Sequence, residues 1–430
     1  MSESESAASD VAQADRRESF NMRILATQLI IMRVGWIFKT ESVIIPAVLD
    51  VISGAAWVRG LLPVLNRLGQ SLPPMLLADT IRGVRLKKRA LIFTTLGMAL
   101  PFLTLASVWR MLDNRQQPWL VILFLVLYLV FFSATGLNQL VDGTLQGKLI
   151  RPTHRGRLMG RAGMLGSLGA VLAALFLLRP WLALPNHDGF AYIFLFNGSA
   201  YFIAGLMANL CQEAPDDSTS VTRKPWWSAF RAAWEVVRDD GRFRRAATVS
   251  ILFMMGLLLF PHYQWLAREQ LGSTHGDLIW WVIAQNISVG VLSPIVGRLA
   301  DRFGNRLALR VAAFLSALTP AIAVILASPH FPLGRGWFWI TYVFLGLTPV
   351  TMRTISNYTL ELVPREQHPR YLSTMTVCYT LPFVISPLFG SLLDVVPYQY
   401  PFLAISGVIL LSALLTFRMA EPRHDGDATA

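Results

Sequence analysis

Residues 118–137 read PWLVILFLVLYLVFFSATGL and residues 400–417 read YPFLAISGVILLSALLTF, and neither run contains a charge. A helix needs about 20 apolar residues to cross a bilayer. Only helices and closed barrels satisfy every backbone polar group inside one. One such run fits a buried helix of a soluble protein; a dozen do not. Only 15% of the residues are charged, against about 25% in an ordinary soluble domain. The chain therefore reads as an all-α integral membrane protein.

Apolar segments fall at about 28–52, 57–80, 90–110, 119–141, 157–179 and 190–211, then at about 246–267, 277–299, 307–328, 337–360, 371–394 and 400–418. Arg33, Lys39 and Glu41 interrupt the first. If that segment began only at Ser42, residues 42–80 would have to hold two crossings and a turn, which is too short. The charges are therefore expected inside the first helix, giving twelve spans. Lys and Arg crowd the loops that share a face with both termini, among them Arg82 to Arg89, Lys148 to Arg157 and Arg298 to Arg310. The opposite face has Arg59, Arg110, Arg115, Arg179, Arg268 and Arg335. The excess marks the cytoplasmic side and accounts for the formal net charge of +12. The basic balance is thus a matter of topology rather than of nucleic-acid binding.

The expected organisation is a disordered cytoplasmic tail over 1–27, a bundle of six helices over 28–211, a central cytoplasmic loop over 212–245, a second six-helix bundle over 246–418, and a short tail over 419–430. The N-terminus, MSESESAASD, starts acidic and Ser-rich rather than basic and then apolar, so it does not read as a cleavable signal. In the central loop Trp227, Phe230, Trp234 and Val237 share one helical face beside Arg231 and Arg238. That pattern suits a helix lying in the lipid headgroup layer. Cys211 and Cys378 lie far apart in or beside apolar runs and read as core residues.

The stretch GRLADRFGNR (297–306) places Arg298, Asp301, Arg302 and Arg306 among glycines between spans 8 and 9. It resembles the signature loop of the major facilitator superfamily, glycine–three residues–Asp–Arg–x–Gly–basic. Asn305 stands where a basic residue is usual. A degraded copy, LLADTIRGVRLKKR (76–89), keeps Asp79, Arg82, Gly83 and Arg85 between spans 2 and 3 but lacks the leading glycine. TLQGKLIRPTHRGRL (144–158) and TLELVPREQHPRYL (359–372) echo one another after spans 4 and 10. Both pairs recur at a spacing of a little over two hundred residues, as two homologous halves require. The resemblance covers essentially the whole chain and implies two pseudo-symmetric six-helix bundles that move a solute by alternating access. It also implies a conformational latch at Asp79, Arg82, Arg85, Gly297, Asp301, Arg302, Gly304 and Arg306, braced by Asp142. Close helix packing is expected at Gly297 and a reverse turn at Gly304.

Ionisable groups within a span are costly and mark functional sites by default. Lys39, Glu41, Arg67, Asn138, His262, Gln264, Asn286, Arg353 and Asn357 are the candidates for binding a solute or a proton, and in the family spans 1, 4, 7 and 10 line the central cavity. Glu41 is the candidate proton carrier; a structural Glu41–Arg67 bridge is the competing reading. His262 also fits an interfacial position, and Asp50 and Arg59, at the outer ends of their spans, read as surface residues. Lys39, Arg67 and Arg353 favour an anionic solute.

No phosphate-binding loop is present: GTLQGKL (143–149) has one residue too few between its glycines, so a solute or ion gradient is the expected energy source. HExxH and GxSxG are absent and the seven histidines are scattered, which argues against an enzyme and against a metal or other cofactor. The expected partners are a small molecule and membrane lipid, with a monomer in the cell (inner) membrane. A sensor or scaffold that kept a transporter fold is the alternative. The span 5 glycines at 160, 163, 166 and 169 lack the Gly-Pro pair of drug exporters and suit close helix packing instead.

Overall fold

The computed structural model describes residues 3–216, 227–364 and 367–421, apart from the side chains of residues 3–12 and of Ala78, Asp79, Arg82, Pro152, Thr153, Gly156, Ala229 and Pro369. Among the described residues the regular elements are helices, with no strand. In chain order they are α1 (Glu3–Trp36), α2 (Ile44–Ile52), α3 (Ala56–Arg82), α4 (Lys87–Met111), α5 (Pro118–Leu149), α6 (Pro152–Ala173), α7 (Arg179–Leu182), α8 (Gly189–Ala208), α9 (Trp227–Asp239), α10 (Gly241–Met254), α11 (Phe260–Leu271) and α12 (Leu278–Phe303). There follow α13 (Asn305–Leu326), α14 (Gly334–Trp337), α15 (Trp339–Leu345), α16 (Leu347–Glu361), α17 (His368–Thr380), α18 (Ser386–Val395) and α19 (Gln399–Leu415). A π-helical turn, Ala174–Leu178, joins α6 to α7, and 3-10 turns join α10 to α11 and α17 to α18.

Among the described residues, 9 helical segments are long and apolar enough to cross a membrane. They coincide with the expected spans 3 to 9, 11 and 12. The other three positions are occupied by α1 with α2, by α3, and by α14 to α16, where polar residues or breaks interrupt the apolar run.

Two expectations change here. The charges of the first span do not lie within one helix: α1 ends at Trp36, a 3-10 turn covers Ile37–Lys39, and α2 starts only at Ile44. A break frees backbone groups for other partners where polar side chains gather, which a continuous helix would not. Second, residues from Glu3 onward are helical rather than disordered. Ala, Glu, Gln and Arg are good helix formers, and Glu18 fixes this helix by accepting from the Arg151 backbone N–H at 3.0 Å.

The chain folds into two compact units. The first comprises Met1–Lys39, Leu68–Asn114 and Val126–Lys224; the second comprises Thr40–Arg67, Arg115–Leu125 and Pro225–Ala430. In the first, α4 lies along α8, and α1 packs against both α6 and α8. Its core holds an aliphatic cluster of Leu25, Leu91, Val141 and Leu145 and a ring cluster in which Phe131 meets Phe102 edge-on and Tyr201 at a tilt. In the second, α13 lies along α19, α12 packs against α15 and α16, and α2 packs against α11. Here α9 rests on α17, with Arg370 paired to Glu235 at 3.0 Å, and leaves Trp227 and Trp234 59% and 66% exposed.

Candidate functional site

In the first unit Lys39 closes the 3-10 turn after α1 and is 1% exposed. Its ammonium lies 3.4 Å from the Trp36 ring centroid, 4.4 Å from Phe132 and 5.2 Å from Phe131. A desolvated ammonium over aromatic faces gains about 2 kcal/mol or more, and three rings leave the charge well screened from a solute. Asn138, the other candidate in this unit, donates from Nδ2 to Thr95 Oγ1 at 2.7 Å and to Thr94 Oγ1 at 3.2 Å, joining α5 to α4.

The second unit gathers Glu41, Asn66 and Arg67 around one small cavity of about 20 Å³, whose other walls include Leu257, Pro261 and Phe383. That is room for one water. Asn66 donates from Nδ2 to Glu41. The Arg67 guanidinium lies 5.5 Å from the Phe383 ring centroid and 3.9 Å from Met352 Sδ. Glu41 and Arg67 thus share a cavity. Nearby in the same unit, Ser42 Oγ donates to Gln285 Oε1 at 2.7 Å, and Tyr342 Oη donates to the Ser42 carbonyl at 3.4 Å. Asn286, adjacent to Gln285, is turned instead to the Val282 carbonyl of its own helix.

His262 is fully buried rather than interfacial, and neither ring nitrogen has a hydrogen-bond partner among the described residues; the same holds for Gln264 Oε1. Pro261 starts the first turn of α11 and carries both side chains inward. Arg353 and Asn357, four residues apart on α16, share an exposed face.

Asp50 and Arg59 are not surface residues. Their side chains are 0% and 1% exposed and form an ion pair, which Arg268 of α11 completes by reaching Asp50 Oδ2 at 3.1 Å. Arg59 also donates to the Gly54 carbonyl at 2.9 Å and lies 5.4 Å from the Trp265 ring centroid. Nothing in the sequence pairs position 268 with position 50; the long separation hides the third member.

At the loop that carries the signature, Gly304 has φ 88° and caps α13. Arg306 pairs with Glu421 at 3.3 Å, and Arg302 lies 5.1 Å from the neighbouring Phe303 ring. Asp301 is exposed on the last turn of α12. Gly297 is exposed as well, and a Cβ there would meet nothing within 4 Å among the described residues, so no helix packs closely on it. In the first unit the side chains of Asp79 and Arg82 lie outside the described residues. Arg85 holds residue 216, its carbonyl accepting from the Asp216 N–H at 2.9 Å. Asp142 accepts from Gln146 of its own helix at 2.7 Å.

Glu213, which sequence reasoning passed over, caps α4 by accepting from the backbone N–H groups of Lys87 and Lys88, each at 2.8 Å, and pairs with Lys148 at 2.8 Å. Beside it, a hydrogen bond from Lys148 holds the Asp216 carboxyl below its usual pKa.

Residues 258–430 match the model of the Major Facilitator Superfamily. The D-xylose–proton symporter superposes with a TM-score of 0.70 at 13% identity, covering 93% of this chain and 98% of that one. The chain is similar to the major facilitator superfamily in sequence over residues 258–430 and shares the fold of its solved transporters. It is 29% identical over 138 residues to the class C tetracycline resistance protein of Escherichia coli, covering 31% of this chain and 33% of the relative. Over 210 residues it is 28% identical to the multidrug resistance protein MdtH of Photorhabdus laumondii, covering 47% of each. The chain thus spans between a third and about half of the length of these curated relatives. The superfamily fold, with its apolar helices, makes this a multi-pass membrane protein.

Proposed function

We propose that this chain is a secondary transporter that carries a small solute across the cell inner membrane by alternating access, driven by a proton or solute gradient. The observation that carries the reading is the placing of Glu41, Asn66 and Arg67 around a one-water cavity whose other walls, Leu62, Pro63, Leu257, Phe260, Pro261 and Phe383, are apolar. Ionisable groups are kept at such depth when they meet a solute or a proton. Glu41 is the proposed proton carrier. Arg67 and Arg353 supply the preference for an anionic solute, Lys39 being held among rings. The relatives named for tetracycline and multidrug resistance add export of such compounds to the solutes and directions to be tried.

Two six-helix halves, with both termini cytoplasmic, complete the reading. Reporter fusions after Asp113 and Asp188 are expected to read external, and one after Ser218 internal.

The deciding experiment is uptake into proteoliposomes under an imposed pH gradient. The solutes are those that raise the melting temperature of the purified protein, with tetracycline among those screened. Accumulation that collapses with the gradient supports the proposal. A stabilising solute that binds but never crosses would make the protein a sensor or scaffold.

A further inference from the structure

The second unit carries a groove that the proposed transport does not use. It holds about 680 Å³ and runs along α12 where that helix passes α14 and α15. We propose that it seats one phospholipid, with an acyl chain laid along α12 and a headgroup bearing both phosphate and ammonium on Arg335 and Asp277. The inference rests on the chain's lying in a membrane, and not on its moving a solute.

The α12 wall has the length of one leaflet. Trp280, Ala284, Ile287 and Val291 fall four, three and four residues apart, so they share one face of the helix. From first to last they rise about 16 Å, against about 15 Å for half of a bilayer's hydrocarbon. Trp280, Ile287 and Val291 are each a little over half exposed, and Trp339 of α15 lines the same groove. Small residues keep it hollow: a Cβ at Gly336 would meet nothing within 4 Å among the described residues. The floor is firm. Trp281 is buried and stacks on Tyr342, with ring centroids 5.1 Å and planes 7° apart, and Ser288 Oγ donates to the Val343 carbonyl. Helices that pair in a membrane approach through small residues. Bulky rings and branched side chains around a hollow suit a flexible chain instead.

The mouth sets the headgroup. Arg335 Nη2 donates to Asp277 Oδ2 at 3.0 Å, at the end of α12 opposite the signature loop. The pair is net neutral, so a headgroup of one sign would leave charge uncompensated. The Arg335 side chain is 49% exposed, and its planar fork keeps N–H donors for a phosphate. On Asp277, the bonds from the Thr274 N–H, Thr274 Oγ1 and Arg335 all end on Oδ2. Among the described residues that leaves Oδ1 as the acceptor for an ammonium N–H. Phosphatidylethanolamine supplies both groups at the head of its acyl chains. Phosphatidylglycerol lacks the ammonium, and phosphatidylcholine lacks the N–H.

The test titrates these three lipids, with the same acyl chains, onto delipidated full-length protein in detergent and counts bound lipid by native mass spectrometry. The parent is expected to bind its first phosphatidylethanolamine about tenfold more tightly than either other lipid. Arg335→Gln is expected to lose that margin and bind the three alike. Gly336→Trp fills the hollow without removing a charge and is expected to weaken all three about tenfold. Ala284→Phe fills it from the α12 wall and takes its place if the first variant melts early. Arg370→Gln, which breaks the separate pair with Glu235, is expected to change nothing. Equal affinities for the three lipids in the parent would reduce the groove to ordinary lipid contact and overturn the proposal. So would phosphatidylethanolamine held as tightly as in the parent by folded Arg335→Gln and Gly336→Trp, or tightest binding of phosphatidylglycerol. Uptake that fails for every solute while lipid binding follows the expected pattern removes the transport reading and leaves the lipid site standing.

Discussion

The Glu421 carboxylate rests on Gly304: a Cβ at position 304 would stand 2.6 Å from Glu421 Oε1. Arg306 Nη1 donates to the Met419 carbonyl at 3.0 Å, and Tyr358 Oη donates to that of Ala420 at 2.8 Å. The chain that leaves the last helix is thereby tied across the turn between α12 and α13, with its acid at the positive end of α13. Gly304→Ala meets both a left-handed φ and that carboxylate. It is expected to lower stability by about 1–3 kcal/mol, read as a fall in melting temperature in detergent. Glu421→Gln keeps the shape and loses the charge, and should cost less than half as much.

Glu41→Gln should abolish gradient-driven uptake and leave solute exchange intact, because exchange moves no net proton. Arg67→Ala should weaken binding, more for an anionic solute than for a neutral one. If Glu41 and Arg67 serve only as a structural bridge, each single change lowers the melting temperature and the Glu41→Gln, Arg67→Met pair restores it with transport intact. Uptake, exchange and melting measured on the same preparations separate the two.

Asn138 joins α5 to two threonines of α4 and is 4% exposed. Asn138→Leu removes the donor to the Thr95 and Thr94 hydroxyl oxygens and overfills the contact, at about 1–3 kcal/mol. The expected signature is a lower melting temperature with the solute KM unchanged; an altered KM without loss of stability would return Asn138 to the solute path.

Burial alone would raise the pKa of Glu18, but hydrogen bonds from the Arg151 backbone, His154 and the Arg151 guanidinium outweigh it and hold the carboxyl below its ordinary value of 4.5. Its contribution is complete above that value and disappears as pH falls through the depressed one. Hydrogen exchange in residues 13–27 should be faster in Glu18→Gln than in the parent near pH 7. The difference should vanish as pH falls through the depressed value, below which both carry a neutral side chain.

The helical spans were legible because hydrophobic length is a local property of sequence, and the signature loop because Gly304 needs a turn that few other residues accept. What stayed hidden depended on distance along the chain. Asp50 and Arg59 read as surface charges until Arg268 completed their cluster, and nothing singled out Glu213 or Glu421 until the helix ends they cap were in place. The break after Lys39 went unseen for another reason: a span of the right length and composition gives no local sign that polar side chains will interrupt it. The candidate residues divide in the same way: Glu41 and Arg67 meet at one cavity, joined there by Asn66, which the sequence did not single out, while Arg353 and Asn357 stand apart on an exposed face.

Residues 40–67 belong to the unit completed by chain made more than two hundred residues later. At about 5–20 residues per second of synthesis, Asp50 and Arg59 wait some ten to forty seconds for Arg268 to leave the ribosome. Through that interval the Asp50–Arg59 pair lacks its third member and Gly60 has no backbone to meet. The early chain is thus a client for membrane chaperones and proteases, and a truncation before α11 should be degraded rather than stored as a stable half.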